Sequence, residues 1–358
     1  MSTSVDALTG ALWLRPGVPA PHNLRSTRPL LASRVAAGQS AAALPGLLAG
    51  LFSLCGHAHR LCSRLAIEAA APGLLGGPAD ALAEELRRET AGEHARRIGM
   101  DWPRLLAPAH AEQALQTLCA CPLLHTPALA PVDWPAVRAW LQTQWLGMDC
   151  AAWLQAWPEG FNDWSRRAHG WLPALLRHAQ ADDIALPLND IPALKIAASP
   201  DALQELGRVL AAQPGFAAAP RWRGRCAHTG TWSRLRAASP RPDSAHALLG
   251  SRIAELARLC LPDGAAWLQW GSLPTGPSQG LAWVEMARGL LVHQVTLNPQ
   301  SPRVQACQVL APTEWNFHPE GVAAQALAAL PAHAQAQVRL LMAALDPCVP
   351  FQIEADHA

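Results

Sequence analysis

The sequence contains no tyrosine and only one lysine, Lys195, so arginine carries nearly all of its positive charge. Charged residues make up only 15% of the chain and the formal net charge is +1. Such a balance offers no electrostatic reason to expect a nucleic acid or an anionic membrane as partner. Half of the 358 residues are hydrophobic, which is typical of a globular protein with a large core and excludes a disordered chain.

Long apolar runs are also missing. The longest, residues 41–55, is interrupted by Pro45, Gly46 and Gly50 and is too short to span a bilayer. The first residues lack both the basic start and the apolar centre of a signal peptide. We therefore expect a cytoplasmic protein with no membrane partner, in which the nine cysteines are thiols available for a metal or for the core.

The dominant hydrophobic period is helical, and the 32 prolines limit the length of most helices. Near the C-terminus, residues 280–286, 290–297 and 303–310 are rich in β-formers and predict a three-stranded antiparallel meander. The fold class is therefore predicted as mainly α with a small antiparallel β element (α+β). The predicted helices are 79–97, 111–118, 132–146, 161–180, 202–212, 245–261, 321–330 and 331–345.

Seven of the 15 tryptophans cluster in the middle of the chain. Large aromatic side chains of this kind most often anchor a core, although a surface for a partner protein is the alternative. The clustered residues are Trp134, Trp140, Trp145, Trp153, Trp157, Trp164 and Trp171.

Two cysteines near opposite ends of the chain are candidate metal ligands. Cys55, His59 and Cys62 have spacings of four and three, which would place them on one helical face as a soft-metal stripe. Because leucines surround these positions, buried core residues are the alternative. Cys348 lies in the segment Asp346-Pro347-Cys348.

Four short segments, in the same order, resemble motifs of the large subunit of [NiFe]-hydrogenases. In that family, paired Cys-Gly-x-Cys and Asp-Pro-Cys-x-x-Cys motifs hold nickel and iron. The resemblance therefore implies a large-subunit-like fold. The matching segments are Cys55-Gly56, Glu285-Met286-Ala287-Arg288-Gly289-Leu290-Leu291-Val292-His293, Ala311-Pro312-Thr313-Glu314-Trp315-Asn316 and Asp346-Pro347-Cys348.

Each cysteine pair of the family keeps only its first member here. The second positions are Ala58 and Phe351, neither of which can coordinate a metal. By resemblance, Cys55 and Cys348 are the two metal ligands. They suffice to hold one iron, whereas a four-thiolate nickel site cannot be built, so no nickel is expected.

The resemblance also implies residues around the iron, which in the family carries two cyanides and one carbon monoxide. Arg288 matches the arginine beside one cyanide, and Thr313 matches the hydroxyl residue beside the other. His59 and His57 are then additional donors or spare ligands, or else an ordinary core or surface histidine. If a helix begins at Gly56, its N-terminus would lower the pKa of Cys55.

At a finer level the chain resembles the HupK/HoxV-type hydrogenase expression/formation proteins, which look like reduced copies of the large subunit. The segments that carry this resemblance are Ser26-Thr27-Arg28-Pro29-Leu30, Cys55-Gly56-His57-Ala58-His59, Glu93-His94 and Asp101-Trp102-Pro103.

That identification implies an assembly scaffold rather than an enzyme. The scaffold would transiently hold an Fe(CN)2(CO) fragment, receive it from a small maturation chaperone of the HypC type and pass it to an apo hydrogenase large subunit. A docking or regulatory paralogue without metal is the alternative. A hydrogenase-like enzyme is the third possibility and is disfavoured by Ala58 and Phe351.

The implied organisation is one domain over residues 1–358. It comprises an N-terminal half-site (20–105), an unmatched helical middle (106–275) and a C-terminal meander with the second half-site (276–358).

Overall fold

Helices make up most of the chain, and the strands form two small sheets, which confirms the α+β class. The computed structural model describes residues 10–76, 80–127, 130–197, 199–213, 215–234 and 243–354. The elements before residue 181 are β1 (Leu12–Leu14), β2 (Leu24–Ser26), α1 (Leu31–Ala36), α2 (Leu44–Leu51), α3 (Gly56–Ala70), α4 (Asp80–Arg96), α5 (Trp102–Leu106), α6 (Ala111–Cys119), α7 (Pro122–His125), α8 (Trp134–Leu141), α9 (Cys150–Ala156), α10 (Phe161–Arg167) and α11 (Trp171–Gln180). The later elements are α12 (Pro200–Ala212), α13 (Thr231–Arg234), α14 (Ala245–Leu259), β3 (Trp270–Gly276), β4 (Gln279–Met286), β5 (Gly289–Leu297), β6 (Val304–Leu310), α15 (Pro312–Asn316), α16 (Val322–Ala328), α17 (Gln335–Leu345) and β7 (Phe351–Ile353).

The predicted helices are confirmed to within a few residues in most cases, although residue 79 lies outside the described residues. The segment 161–180 is wrong as a single helix. It is divided into α10 and α11 by Gly170, whose φ of +113° breaks the helical path. The segment 132–146 is α-helical only to Leu141 and continues as a π-helical turn, Gln142–Leu146.

The C-terminal sheet has four antiparallel strands in the order β3-β4-β5-β6, where the sequence predicted three. The three predicted strands are confirmed. The missed strand, β3, contains Gly271, Pro274 and Gly276. Proline and glycine are uncommon inside strands and obscured the β signal, but β3 lies at the sheet edge, where they are tolerated.

Helix α3, which follows Cys55, packs across β3, β4 and β5. Gly280 of β4 permits the close approach, because a Cβ atom there would lie 2.0 Å from the backbone oxygen of Ala66 on α3. The first metal motif is thereby fixed directly against the strands that lead into and out of the Arg288 turn.

A second sheet, absent from the sequence prediction, joins the two ends of the chain in the order β2-β1-β7. β1 is antiparallel to β2 and parallel to β7, with Leu12 opposite Phe351. The segment after Cys348 is therefore held against the N-terminal region.

The clustered tryptophans form part of the core, as the first interpretation expected. Trp145 and Trp171 meet edge to face at 5.4 Å, and both indole N–H groups donate to the hydroxyl of Thr117. The buried apolar residues form one large core and one smaller core. The internal division at residues 105/106 and 275/276 stays a prediction.

Within the part of the chain that the structure describes, no helix is both long and apolar enough to cross a membrane.

Candidate metal centre

Cys55 is positioned by a tight junction between two helices. α2 ends at Leu51, a 3-10 turn covers Ser53–Cys55, and Cys55 is the residue immediately before α3. A Cβ atom on Gly56 would lie 2.8 Å from the backbone oxygen of Ala49. Glycine after the cysteine is thus required by the close crossing of α2 and α3, which accounts physically for the Cys-Gly pair.

Cys348 is positioned by the end of α17. Asp346 adopts a left-handed conformation with φ of +50° and donates its backbone N–H to the oxygen of Met342. Pro347 then prevents the helix from continuing. The chain crosses to β7, so Cys348 lies between a helix end and a strand that pairs with β1.

All five residues predicted from the sequence line one cavity of about 180 Å³. Cys55 and Cys348 are 293 residues apart in the chain, and the tertiary structure brings them to the same cavity. Arg288, Thr313 and His59 complete this set. Their roles as ligands or donors stay predictions, but their shared cavity is a structural fact.

Arg288 lies in the turn between β4 and β5 and is almost completely buried. Its Nη2 donates to Glu93 Oε2 at 3.0 Å, and its Nε lies 3.3 Å from Asp346 Oδ2. Among the described residues, Nη1 has no hydrogen-bond partner. Arg288 lines the cavity, and an unpartnered buried guanidinium N–H is a donor for which cyanide nitrogen is a suitable acceptor.

The charges around Arg288 reinforce one another. Burial alone would lower the pKa of Arg288, but Asp346 and Glu93 raise it above its ordinary value. For Asp346 burial opposes the charge, yet Arg288, Arg252 and Arg97 lower its pKa to about 2. The aspartate of the Asp-Pro-Cys segment therefore stays ionised and fixes the guanidinium beside the cavity.

Thr313 is the second residue of α15 and is buried. Its hydroxyl oxygen lies 3.1 Å from Cys348 Sγ. This hydroxyl can donate to a thiolate, or rotate to donate to a ligand in the cavity.

The expectation that the helix N-terminus lowers the pKa of Cys55 is wrong. Glu89 of α4 already accepts the first free N–H groups of α3, at 2.7 Å from His57 N and 3.0 Å from Ala58 N. Burial raises the pKa of the Cys55 thiol above its ordinary value; Arg288 opposes this, while Glu89 and Cys348 raise the pKa further. Without a metal, Cys55 is therefore a protonated thiol.

The two histidines of the first motif have different surroundings. His59 is buried, stacks on Phe52 with a ring separation of 3.9 Å, and its Nδ1 lies 2.9 Å from Nε2 of His293. Burial and the neighbouring His293 keep the pKa of His59 well below its ordinary value, so the ring is neutral. His57 is half exposed and its Nδ1 lies 3.0 Å from Glu85 Oε2, on the face directed at α4.

The stripe of Cys55, His59 and Cys62 is not assembled as a three-ligand site. Cys62 lies deeper in α3, where its thiol donates to the backbone oxygen of Ala282 in β4. Among the described residues, Cys55 and Cys348 belong to no group of three His, Cys, Asp or Glu ligand atoms within 4.8 Å of one another. Cys55 and Cys348 are thus the two thiols that line this cavity.

The remaining wall is mostly apolar, with one buried ion pair. Arg28 pairs with Glu314, and its guanidinium lies over the Phe52 ring at 5.8 Å. Sequence reasoning gave no role to this pair or to Glu93, although Arg28 and Glu93 lie in the segments that carry the subfamily resemblance. The apolar lining residues are Pro29, Leu31, Leu51, Phe52, Leu54, Met286, Ala311, Pro312 and Val349.

Comparison with known proteins gives a consistent result at two levels. No protein-family model matches the chain. The hydrogenase expression/formation protein HoxV of Cupriavidus necator is 40% identical, with 98% of this chain and 97% of the relative covered. The hydrogenase expression/formation protein HupK of Bradyrhizobium diazoefficiens is 33% identical, with 93% of this chain and 92% of the relative covered.

Among solved structures, the Ni-Fe-Se hydrogenase of D. vulgaris Hildenborough in the reduced state superposes with a TM-score of 0.58 at 13% identity, covering 93% of this chain and 94% of that chain. An NAD+-reducing [NiFe]-hydrogenase in the H2-reduced state gives 0.54 at 14% identity, with 91% of each chain covered. The fold is that of the [NiFe]-hydrogenase large subunit. With full-length relatives at these identities, the chain belongs to the HoxV/HupK family of hydrogenase expression/formation proteins.

Proposed function

We propose that this protein acts in hydrogenase maturation as a scaffold that transiently holds an Fe(CN)2(CO) fragment as its cargo. The observation that carries the proposal is the cavity lined by Cys55, Cys348 and Arg288, whose Nη1 has no hydrogen-bond partner among the described residues. Two thiols supply ligands for one iron, and a buried N–H supplies a donor for one cyanide.

The donor set of this chain fits such a cargo. Cys55 and Cys348 bind the iron as thiolates, and the thiol protons pass to solvent as the metal displaces them. Arg288 Nη1 donates to one cyanide and the Thr313 hydroxyl to the other. The apolar wall receives the carbon monoxide, which needs no hydrogen bond.

The proposed site binds the iron fragment only weakly. Burial disfavours the Cys55 thiolate in the absence of metal, so part of the binding free energy is spent on its deprotonation. Ala58 and Phe351 provide no further thiolate. An apo large subunit that offers four cysteines would bind the same iron more tightly, which gives transfer its direction. A small chaperone of the HypC type is the proposed donor.

The Arg288 site is stable without cargo. Glu93 and Asp346 keep the guanidinium charged and oriented, so the Arg288 donor is preorganised and does not have to be positioned by the iron fragment. An enzyme that activates hydrogen at a nickel–iron pair is not proposed, because the described cavity offers two thiols.

The test is infrared spectroscopy of the protein purified anaerobically from a host with complete hydrogenase maturation machinery. We expect cyanide and carbon monoxide bands with about one iron per chain. Cys55→Ala and Cys348→Ala should each abolish the bands and hydrogenase maturation. Cys62→Ala is the matched control, because Cys62 is a buried cysteine of α3, the helix that follows Cys55, and its thiol contacts Ala282.

Iron-free protein without these bands, still bound to its chaperone and still active in maturation after both cysteine replacements, would refute the scaffold. The metal-free docking paralogue would then be the better description.

A further inference from the structure

A second cluster of metal-ligating side chains lies outside the candidate metal centre. Cys226, His318 and Glu320 each offer one ligand atom, and these atoms all lie within 4.8 Å of one another. Across the described ranges of the chain, this is the group of three or more such residues that meets that distance. Cys226 Sγ lies 3.3 Å from His318 Nδ1.

The imidazole of His318 is already oriented for coordination. The ring is buried, and Nδ1 accepts the backbone N–H of Glu320 at 3.0 Å, so the ring proton is on Nε2. The ring also hydrogen-bonds to the backbone of Ala219. A histidine ligand typically donates its second ring N–H to a backbone carbonyl, which fixes the tautomer. Nδ1, the nitrogen beside Cys226 Sγ, is then the coordinating atom, and it exchanges the hydrogen bond from the Glu320 N–H for the metal.

The other two ligands are accessible from solvent. Cys226 and Glu320 are partly buried, and Glu320 forms an ion pair with the exposed Arg221. A carboxylate has two oxygens, so Arg221 competes with a metal for Glu320 without blocking the site.

We propose that Cys226, His318 and Glu320 form a binding site for Zn²⁺. One thiolate, one imidazole and one carboxylate suit this borderline-soft ion, with the fourth tetrahedral position taken by water. Binding displaces the thiol proton of Cys226 to solvent and replaces both hydrogen bonds at His318 Nδ1, the one with Cys226 and the one from the backbone N–H of Glu320.

The position of the site gives it a structural consequence. Three residues after Cys226, Thr229 exchanges two hydrogen bonds with Asn316 of α15, at 2.9 and 2.8 Å. The Thr229 hydroxyl also accepts the backbone N–H of Leu290, next to the Arg288 turn. Zn²⁺ held by Cys226 and His318 would tie the 226–229 loop to the end of α15, the helix that carries Thr313. This role does not depend on the cargo proposed above.

Cobalt is the probe, since Co²⁺ occupies such sites and is coloured when tetrahedral and thiolate-bound. The background is the full-length Cys55→Ala/Cys348→Ala protein, titrated anaerobically with Co²⁺ and then with Zn²⁺. We expect one equivalent of Co²⁺ with a thiolate-to-cobalt charge-transfer band, displacement by Zn²⁺, and a rise in Tm when Zn²⁺ is bound.

Substitutions then separate this site from incidental binding. Cys226→Ser should remove the charge-transfer band, and Glu320→Gln, at a side chain that is 40% exposed, should weaken Co²⁺ binding about tenfold or more without unfolding the protein. Arg221→Gln should strengthen binding because it frees the carboxylate, which a merely structural hydrogen-bond cluster would not do. Cys119→Ser, at an exposed thiol, is the control and should change nothing.

An unchanged band and affinity in Cys226→Ser and Glu320→Gln would overturn the proposal, as would the absence of saturable Co²⁺ binding at micromolar free metal.

Discussion

Removing the Arg288 guanidinium should destabilise the protein as well as empty the cavity of its charged donor. In Arg288→Met, an unbranched apolar side chain replaces the arginine side chain, while the carboxylates of Glu93 and Asp346 remain. Both carboxylates are buried, and they lie 3.0 and 3.3 Å from the guanidinium in the wild type. The variant therefore leaves two buried carboxylates without the guanidinium that contacts both of them.

The expected magnitude follows from what remains around each carboxylate. Breaking a buried ion pair by removing one partner costs about 3–5 kcal/mol. Asp346 keeps Arg252 and Arg97, both at 3.1 Å, so its loss is partly compensated. Glu93 keeps the half-exposed Arg96, at 2.9 Å, as an ion-pair partner. We therefore expect a loss near the lower limit, about 3 kcal/mol in the free energy of unfolding.

The assay is denaturant unfolding at neutral pH of the wild type, Arg288→Met, Glu93→Gln and the double variant, with the metal absent. Because the two side chains contact each other, we expect the double variant to be more stable than the sum of the single losses predicts, by at least about 1 kcal/mol. Arg288→Lys keeps the positive charge and should be less destabilised than Arg288→Met, although it also removes Nη1, the donor proposed for one cyanide.

The reasoning would be refuted if Arg288→Met lowered the free energy of unfolding by less than about 1 kcal/mol, or if the effects of Arg288→Met and Glu93→Gln were strictly additive. Either result would show that the buried ion pair of these two residues does not stabilise the site.

Three further predictions concern the groups around the site. Gly280→Ala should lower the free energy of unfolding by about 1–3 kcal/mol, because the new methyl group would overlap the backbone oxygen of Ala66 at 2.0 Å; an unchanged denaturation midpoint would contradict this. Asp346 has a pKa lowered to about 2, so its stabilising contribution of about 2 kcal/mol should be complete above the unfolded-state pKa near 3.8 and be lost as pH falls through 2. The free energy of unfolding should therefore fall less steeply at acid pH in Asp346→Asn than in the wild type. Identical slopes would contradict the prediction. Glu89→Gln removes a negative charge that raises the pKa of Cys55. Alkylation of Cys55, followed by mass spectrometry across pH, should therefore be up to about tenfold faster at a fixed pH. A slower reaction would show that the carboxylate acts mainly by ordering the helix.

Local patterns predicted the elements that depend on neighbours in sequence. The helical periods of α4, α6, α12 and α14 and the β-formers of β4, β5 and β6 are repeated regularities within one segment, and the structure confirms them. The missed strand β3 and the division of 161–180 at Gly170 follow from partners that no local window contains. The edge strand β3 is stabilised by its pairing with β4, whereas its one proline and two glycines argue locally against a strand.

The site divides in the same way. The sequence alone determined that Cys55 and Cys348 lie in recognisable half-motifs, and that Ala58 and Phe351 remove the second thiol of each. It also identified Arg288 and Thr313 as candidate donors.

Only the tertiary structure decided that these residues share one cavity, through the close packing of α3 on β4 and the pairing of β7 with β1. It also decided the electrostatics. Burial raises the pKa of Cys55, Glu89 at the N-terminus of α3 raises it further, and Glu93 and Asp346 fix Arg288. Burial and charge at one atom depend on groups far apart in the chain, so no local pattern records them.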